Sequence, residues 1–262
     1  MRDRVPDLAK AVVLLCNDDG IDAPGLGHLE RIVAPLVAEL WIAAPETEQS
    51  GAGHSLTLRR PLRIRHVSGR RYAVDGTPTD AALLGVNRIM KEQGRRPDLV
   101  LSGINRGGNL GEDVTYSGTI AAAMEATLLG YPAVALSLVT DAEGNARWST
   151  AERWLPEVLK GLARLPWPEG VLMNVNFPDV AAETVSGIEI TRQGRRKPGG
   201  EIVAGRDPRG DAYYWIGAQR QEDRHRKHTD LEAVLRGAIA VTPLSMDMTH
   251  APMLKALREA FR

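Results

Sequence analysis

Short apolar runs alternate with amphipathic stretches along the first two thirds of the chain. Residues 11–16 are continuously apolar with β-branched members and end at Asn-Asp-Asp-Gly, residues 17–20. This is the pattern of a strand that is buried on both faces and stops at a turn. A helix is predicted from Pro24, and a second strand over residues 40–44, so the segment forms a strand–helix–strand unit. The apolar stripe of that helix comprises Leu26, Leu29, Val33 and Leu36.

The same alternation continues as far as residue 178. Further strands are predicted at 98–102, 133–137 and 171–177, separated by helical patterns. One helix begins at a capping box of Thr77 and Asp80, and another begins at Ser117. A third helical pattern covers residues 150–165. Strands that alternate with helices predict an α/β protein with a doubly wound, mostly parallel sheet.

Two regions depart from this alternation. Residues 56–67 alternate apolar and polar positions, which predicts a β-hairpin arm formed with residues 72–74. Residues 193–210 are rich in Gly, Arg and Pro, which predicts an exposed loop or arm. A strand at 238–242 and a helix at 251–261 follow. We therefore expect one domain over residues 1–262, with an α/β core at 1–178 and a C-terminal extension at 179–262.

Composition narrows the possible partners and location. Lys and Arg together number 33, as do Asp and Glu, for a formal net charge of +0. A balanced charge gives no general attraction to duplex nucleic acid or to anionic membranes. Cys16 is the single cysteine, so no intramolecular disulfide forms, and no apolar run is long enough to span a bilayer. The N-terminal residues carry charges of both signs, unlike a signal peptide. These features lead us to expect a cytoplasmic protein.

Oxygen-bearing side chains follow three of the predicted strands. Asp18 and Asp19 come directly after the first strand, Ser50 lies in the loop after the second, and Asn105 follows the strand at 98–102. Ligands of open α/β sheets bind at the carboxyl ends of the strands. Two adjacent carboxylates repel each other unless a cation neutralises them, and Mg²⁺ prefers oxygen ligands. A divalent metal site is therefore predicted here; the alternative is an exposed turn, since Asn-Asp-Asp-Gly also has turn chemistry.

A second candidate site lies where a loop enters the helix of small residues at Ser117, Gly118 and Thr119. Free backbone N–H groups at a helix N-terminus bind anions, and Gly118 permits a phosphate to approach closely. The alternative is a plain helix cap, which this segment alone does not exclude. The glycine-rich loop at 103–111 supplies a backbone wall, and the amide of Asn109 is placed to donate to a phosphoryl oxygen.

Several nucleotide and hydrolase motifs are absent from the chain. The dinucleotide fingerprint G-x-G-x-x-G and the P-loop are both missing. The nucleophile elbow G-x-S-x-G fails because Thr115 stands where Ser117 would need a glycine. Asp75-Gly-Thr resembles an aspartyl-phosphate motif, but Ala73 occupies the position of the nucleophile.

Two groups of basic or titratable residues carry weaker signals. His54 follows Ser50 in the loop near the predicted metal site, and it is interpreted as a general acid, an orienting residue or an ordinary loop residue. His225 and His228 lie in a basic segment typical of a solvated face. The basic cluster that we expect to form a solvated arm, or to contact a neighbouring subunit, comprises Arg192, Arg195, Arg196 and Lys197.

Taken in order, these segments resemble the SurE (survival protein E) family of nucleotidases. The segments that carry the resemblance are Asn17-Asp-Asp-Gly20, residues 44–55 (Ala-Pro-Glu-Thr-Glu-Gln-Ser-Gly-Ala-Gly-His-Ser), Val74-Asp-Gly-Thr-Pro-Thr-Asp80, Ser102-Gly-Ile-Asn105 and Tyr116-Ser-Gly-Thr119. Later segments continue the match, which spans nearly the whole chain: residues 174–178, 207–210 with 213–215, and 241–244 with Asp247.

The resemblance implies a Rossmann-like core with a C-terminal extension that exchanges arms between subunits of a homodimer or homotetramer. It implies hydrolysis of nucleoside 5′- and 3′-monophosphates, and of short polyphosphate, with one divalent ion, Mg²⁺ or Mn²⁺. The residues that match the family's metal ligands are Asp18, Asp19, Ser50 and Asn105. The residues that match its phosphate-side loop are Ser117, Gly118 and Thr119.

Our functional hypothesis is phosphomonoester hydrolysis, with Asp18, Asp19 and Asn105 as the catalytic residues and Asn109 among the phosphate-binding ones. Direct attack by water is favoured over a covalent aspartyl-phosphate at Asp18. The alternative from another class is a non-catalytic nucleotide-binding module that uses the same anion site. The adjacent acids argue against that module, because a site that binds only anions gains nothing from two carboxylates. A third class is a structural assembly protein that acts through its C-terminal arm.

Overall fold

The computed structural model describes residues 7–197, 202–216, 221–222 and 226–262. Residues 198–201 of the segment that we expect to be a loop or arm lie outside the described residues, as does His225.

The strands and helices are numbered here in chain order. The strands are β1 (Val12–Cys16), β2 (Glu39–Pro45), β3 (Ile64–Ser68), β4 (Arg71–Val74), β5 (Leu99–Arg106), β6 (Ala133–Leu138), β7 (Val171–Phe177), β8 (Ile188–Ile190), β9 (Arg196–Lys197), β10 (Ile202–Arg206), β11 (Ala212–Ile216), β12 (Gln221–Glu222) and β13 (Ile239–Ser245). The helices are α1 (Pro24–Val33), α2 (Pro78–Leu84), α3 (Gly118–Leu128), α4 (Trp148–Leu162), α5 (Asp230–Leu235) and α6 (Ala251–Ala260).

A nine-stranded sheet organises the molecule, with the strand order β3-β4-β2-β1-β5-β6-β7-β13-β8. Strand β1 pairs in parallel with both β2 and β5, while β6 and β7 continue the parallel set. Only the β3–β4 and β7–β13 pairs of this sheet are antiparallel. The predicted α/β class and the doubly wound, mostly parallel sheet are therefore confirmed. The strand order reverses beside β1, so a crevice opens between the carboxyl ends of β1 and β5.

Each face of the sheet carries its own apolar core. Helices α1 and α4 cover one face, where Leu26 and Leu155 are fully buried. Helices α2 and α3 cover the other face, where Ala82 and Ile120 are fully buried. Helix α3 is rich in alanine and is buried along most of its length, which lets it lie close to both α2 and the sheet.

Side-chain caps fix where α2 and α3 begin. The Thr77 hydroxyl accepts from the Asp80 N–H at 3.1 Å, and the Asp80 carboxylate accepts from the Thr77 N–H at 2.9 Å. This is the capping box that the sequence predicts. The predicted cap of α3 is present as well, because Ser117 Oγ accepts from the Ile120 N–H at 3.1 Å. Both helix starts lie at the edge of the sheet where the polar strand ends meet.

The β-hairpin arm is shorter than the sequence predicts. Strands β3 and β4 pair antiparallel, as expected, but residues 56–63 form no strand. Their backbone is held by the start of α2 instead, where the Thr57 N–H donates to Asp80 at 3.0 Å. Leu58, one of the alternating apolar residues, is 83% exposed. The alternation in this segment therefore does not mark a buried strand face.

The C-terminal residues contribute to the main sheet and also form a separate hairpin. Strand β13 inserts between β7 and β8, and β10 pairs antiparallel with β11 outside the main sheet. Within the segment 193–210 that we expect to be a loop or arm, the described residues include two strands, β9 and β10. None of the helices in the described residues combines the length and apolar character that crossing a membrane requires.

Candidate active site

A cleft of about 500 Å³ opens at the carboxyl ends of β1, β2 and β5. Asp18 and Asp19 enter it from the end of β1, Ser50 from the loop after β2, and Asn105 from the end of β5. The four residues that the sequence nominates as metal ligands therefore line one cleft, at the point where the strand order reverses.

Asp18 is the most enclosed of these residues, at 4% exposed. One of its carboxylate oxygens accepts a hydrogen bond from the Thr119 hydroxyl at the start of α3. Its backbone carbonyl accepts from the Gln49 N–H at 2.8 Å, which ties the loop after β2 to the end of β1. Burial raises the pKa of Asp18, while the Thr119 hydroxyl opposes that rise. The carboxylate is therefore held in one orientation and has little neighbouring positive charge.

The pKa of Asp19 is raised from 3.8 to about 6. Burial is the largest cause, and the negative charge of Asp18 is the second. The backbone N–H and the positive charge of Arg106 act in the opposite direction. Two neighbouring carboxylates that both resist ionisation form a site that a cation stabilises.

Ser50 and Asn105 supply neutral oxygens at the rim of the same cleft. The Ser50 hydroxyl donates to Glu48 at 2.9 Å, and Glu48 itself lines the cleft. The Asn105 amide nitrogen donates to the Gly107 carbonyl at 2.8 Å, so its carbonyl oxygen is the atom left for a cation.

This donor set fits a hard divalent cation. It offers two carboxylates, a hydroxyl and an amide oxygen, which are the ligand types that Mg²⁺ and Mn²⁺ accept. Within the described part of the chain, no three His, Cys, Asp or Glu side chains are arranged to hold a metal ion together. A metal in this cleft would therefore depend on the neutral oxygens as well as the two aspartates.

The predicted phosphate-side residues divide into two groups. Asn109 and Ser117 line the cleft. Gly118 and Thr119 lie behind it, against Asp18. A Cβ atom at position 118 would lie 2.7 Å from the Asp18 Cβ, so only glycine lets α3 begin this close to the carboxylate. In this structure, Gly118 and Thr119 therefore position Asp18.

The C-terminal extension holds the loop that carries Asn109. Arg196 is 9% exposed and forms a buried ion pair with Asp113, a residue that also lines the cleft. Asp230 is fully buried and accepts from the Gly111 N–H at 2.9 Å and from the Gly194 N–H at 2.7 Å. Burial raises the pKa of Asp230. The expectation of a solvated basic cluster is wrong for Arg196, because the buried Asp113 carboxylate needs a cation beside it.

His54 does not line the cleft. Its Nε2 atom lies 3.1 Å from a carboxylate oxygen of Glu125, a buried residue of α3. The Gly53 N–H donates to the Tyr116 carbonyl at 3.1 Å, so the same segment is attached to the loop before α3. In the absence of a contact with the cleft, this placement favours the orienting role among the three interpretations.

Sequence reasoning missed three charged residues of the cleft: Glu48, Arg106 and Asp113. Glu48 adds a third carboxylate beside Asp18 and Asp19. Arg106 is the only basic residue among the described residues that line the cleft, and its guanidinium donates twice to the Gly144 carbonyl, at 2.9 and 2.7 Å. The position of Glu48 after β2 was a usable signal. The position of Arg106 gave no such signal, because its backbone continues β5 and its hydrogen-bond partner, Gly144, lies 38 residues away in the sequence.

Comparison with known proteins gives independent evidence of the family. The family model described as survival protein SurE matches residues 13–199. A protein of Paramagnetospirillum magneticum named 5′-nucleotidase SurE is 62% identical over 257 residues, covering 98% of each chain. A protein of Rhodospirillum rubrum with the same name is 55% identical, covering 97% of this chain and 98% of the relative.

Among solved structures, the crystal structure of the SurE protein from Aquifex aeolicus is similar with a TM-score of 0.83 and 38% identity. It covers 96% of this chain and 100% of that one. The resemblance drawn from the motifs is thereby confirmed along nearly the whole chain.

Proposed function

The chain belongs to the survival protein SurE family, and from that premise we propose that it is a metal-dependent phosphatase. Its substrates are nucleoside 5′- and 3′-monophosphates, which it hydrolyses to nucleoside and phosphate. Short polyphosphate is a second substrate. Relatives named 5′-nucleotidase SurE support its assignment as a phosphoric monoester hydrolase. The observation that carries the metal dependence is the Asp18–Asp19 pair, whose two pKa values are both raised in one cleft.

One divalent cation, Mg²⁺ or Mn²⁺, would be held by Asp18, Asp19, Ser50 and Asn105. When bound, it draws negative charge off the phosphoryl oxygens. The carboxylates of the lining, Glu48 and Asp113 in addition to the two aspartates, outnumber its one described basic residue, Arg106. A bound cation would therefore favour the entry of an anionic substrate.

The remaining cleft residues bind and orient the phosphoryl group. The amide of Asn109 and the hydroxyl of Ser117 line the cleft and would donate to its oxygens, and the N-terminal end of α3 beside them favours negative charge. Water attacks phosphorus in line with the ester oxygen of the nucleoside. The new P–O bond forms as the ester P–O bond breaks, and the protons of water are shared between the phosphate and nucleoside products.

The proposal is tested by phosphate release from a panel of nucleoside monophosphates and from tripolyphosphate, with Mg²⁺, Mn²⁺ or EDTA. Asp19→Ala is the test variant. Asp75→Ala is the matched control, because Asp75 also ends a strand at this edge but pairs with Arg60 outside the cleft. We expect phosphate release to require metal and to persist in Asp75→Ala. In Asp19→Ala we expect it to fall at least a hundredfold. Nucleotide binding without release under any condition would overturn catalysis and favour a binding module.

The chemical route has its own test. With hydroxylamine present during turnover, direct attack by water leaves no adduct on the protein. Recovery of a hydroxamate at Asp18 by mass spectrometry would contradict direct attack and establish a covalent aspartyl-phosphate.

We also propose self-association to a homodimer or homotetramer. Support comes from apolar surface in the C-terminal region, where Trp215 is 68% exposed and Ile216 is 81% exposed on the β10–β11 hairpin. Helix α6 has no buried residue, although Leu254, Leu257 and Phe261 lie on it or directly after it. Light scattering after size exclusion measures the mass directly. A monomer at micromolar concentration would contradict self-association.

A further inference from the structure

Two buried asparagines on β7 have no part in the function proposed above. Asn174 and Asn176 are both fully buried in a sheet whose other interior residues are mostly apolar. Burying a side-chain amide costs free energy unless its donors and acceptors find partners. The partners of these two residues therefore indicate what they hold in place.

Both asparagines bind the backbone of Asn109. Asn176 Oδ1 accepts from the Asn109 N–H at 2.9 Å. Asn174 Nδ2 and Asn176 Nδ2 donate to the Asn109 carbonyl at 2.9 and 3.2 Å. The two side chains also bond to each other at 3.2 Å. They bind Asn109 as a neighbouring strand would, although the chain there is a glycine-rich loop.

Ser137 on β6 binds the side chain of the same residue. The Asn109 amide nitrogen donates to Ser137 Oγ at 2.8 Å, and Ser137 is fully buried. Asn109 is 7% exposed and lines the cleft. A side-chain amide carries two N–H donors. With one donor fixed on Ser137, the orientation of the whole amide is set, and the second donor is left for a ligand.

We propose that Ser137, Asn174 and Asn176 are positioning residues that act through Asn109, setting its side-chain amide toward a phosphoryl oxygen before the ligand arrives. A donor held in place in advance does not have to be reoriented on binding, which is how fixed dipoles contribute most to transition-state stabilisation. This inference rests on the proposed function in that it takes the ligand to be a phosphoryl group.

Ser137→Ala tests the side-chain contact with a close control in the same sheet. Ser102 on the adjacent strand β5 is also fully buried, and its hydroxyl has no hydrogen-bond partner among the described residues. Each alanine variant removes one oxygen atom, but only Ser137→Ala removes a bond to Asn109. Loss of a neutral hydrogen bond changes an equilibrium by about tenfold. We expect Ser137→Ala to weaken binding of inorganic phosphate in the presence of Mn²⁺ about tenfold by calorimetry, and Ser102→Ala to bind as the wild type does.

A double-mutant cycle separates positioning from general structural support. Asn109→Ala keeps the backbone bonds to Asn174 and Asn176 and removes the side-chain amide. If Ser137 acts through that amide, adding Ser137→Ala to Asn109→Ala changes phosphate affinity less than twofold. The same tenfold loss in both backgrounds, or equal effects of the two serine variants, would overturn the inference.

The cycle also distinguishes this inference from the proposed function. Suppose that the wild-type protein binds inorganic phosphate and the cycle shows coupling between Ser137 and Asn109, but no phosphomonoester is hydrolysed. That result supports the positioning role and contradicts the enzymatic proposal. A wild-type protein that binds no phosphate with Mn²⁺ present overturns the positioning set.

Discussion

Replacing Asp19 by asparagine tests the electrostatics of the cleft without any assumption about substrate. Asparagine has nearly the same shape as aspartate, and its carbonyl oxygen accepts the Arg106 N–H in the same way. It carries no charge beside Asp18. In EDTA at pH 7.5 we therefore expect Asp19→Asn to be more stable than the wild type.

The magnitude follows from the pKa of Asp19, which is 3.8 in an unfolded chain and about 6 in the folded protein. At about 1.4 kcal/mol per pKa unit, that difference corresponds to about 3 kcal/mol. Asp19 is only partly buried, and screening by water reduces the figure to about 1 kcal/mol. In a chain of this size, 1 kcal/mol raises the unfolding temperature by about 3 °C.

The sign of the pH dependence is fixed by the direction of the shift. A carboxyl whose pKa is raised on folding contributes stability that is fully present below the unfolded pKa and is lost as the pH rises through the folded pKa. The advantage of Asp19→Asn should therefore be absent below about pH 3.8, grow as the pH rises from there to about 6, and stay constant above.

The assay is thermal unfolding followed by circular dichroism at several pH values, with EDTA or with Mn²⁺. Mn²⁺ at a hundred times its dissociation constant stabilises a folded protein by about 2.7 kcal/mol, so it should invert the order of wild type and variant. Asp75→Asn, at the exposed ion pair with Arg60, should gain no stability in EDTA. An Asp19→Asn protein less stable than the wild type in EDTA at pH 7.5, or equal stabilisation of both by Mn²⁺, would refute the reasoning.

Three further predictions follow from the geometry. Gly118→Ala should lower kcat/KM about a hundredfold in steady-state assays, because the added Cβ would displace the Asp18 carboxylate. Gly27→Ala is the control, since nothing lies within 4 Å of the added Cβ. It should retain activity, and its free energy of unfolding should rise by about 0.5–1 kcal/mol. Arg196→Met should cost about 3 kcal/mol in urea unfolding because it removes the guanidinium that pairs with the buried Asp113 carboxylate, and adding Asp113→Asn should restore most of it. His54→Gln should change kcat less than about threefold with an unaltered pH–rate profile, whereas a hundredfold loss would identify a general acid.

Local patterns in the sequence were sufficient for the fold class and for the Asp18–Asp19 pair of the cleft. Apolar runs, caps and turn residues depend on neighbours in the chain, so the β1 strand, the capping box at Thr77 and the cap at Ser117 were all predicted. Asp18 and Asp19 were found because strand ends of parallel sheets meet at one edge.

The remaining features depend on contacts between distant residues. Thr119 bonds to Asp18, which lies 101 residues away, and Arg196 bonds to Asp113, which lies 83 residues away. Nothing in the Arg-rich segment around Arg196 distinguishes a buried arginine from a solvated one. The alternating apolar residues at 56–62 were wrongly predicted to be a strand. Their backbone is held by α2, through the contact of Thr57 with the distant Asp80, rather than by a neighbouring strand.

The attachment of Gly111 to Asp230 across 119 residues of sequence has a consequence for biosynthesis. A chain emerging from the ribosome has every candidate metal ligand by residue 105 and the start of α3 by residue 118. The groups that fasten the loop between them, Arg196 and Asp230, are translated much later. A nascent or truncated chain therefore carries the candidate metal ligands without the fastened loop. We expect full activity to require the chain at least as far as Asp230, and fragments that end before Arg196 to be poor hydrolases.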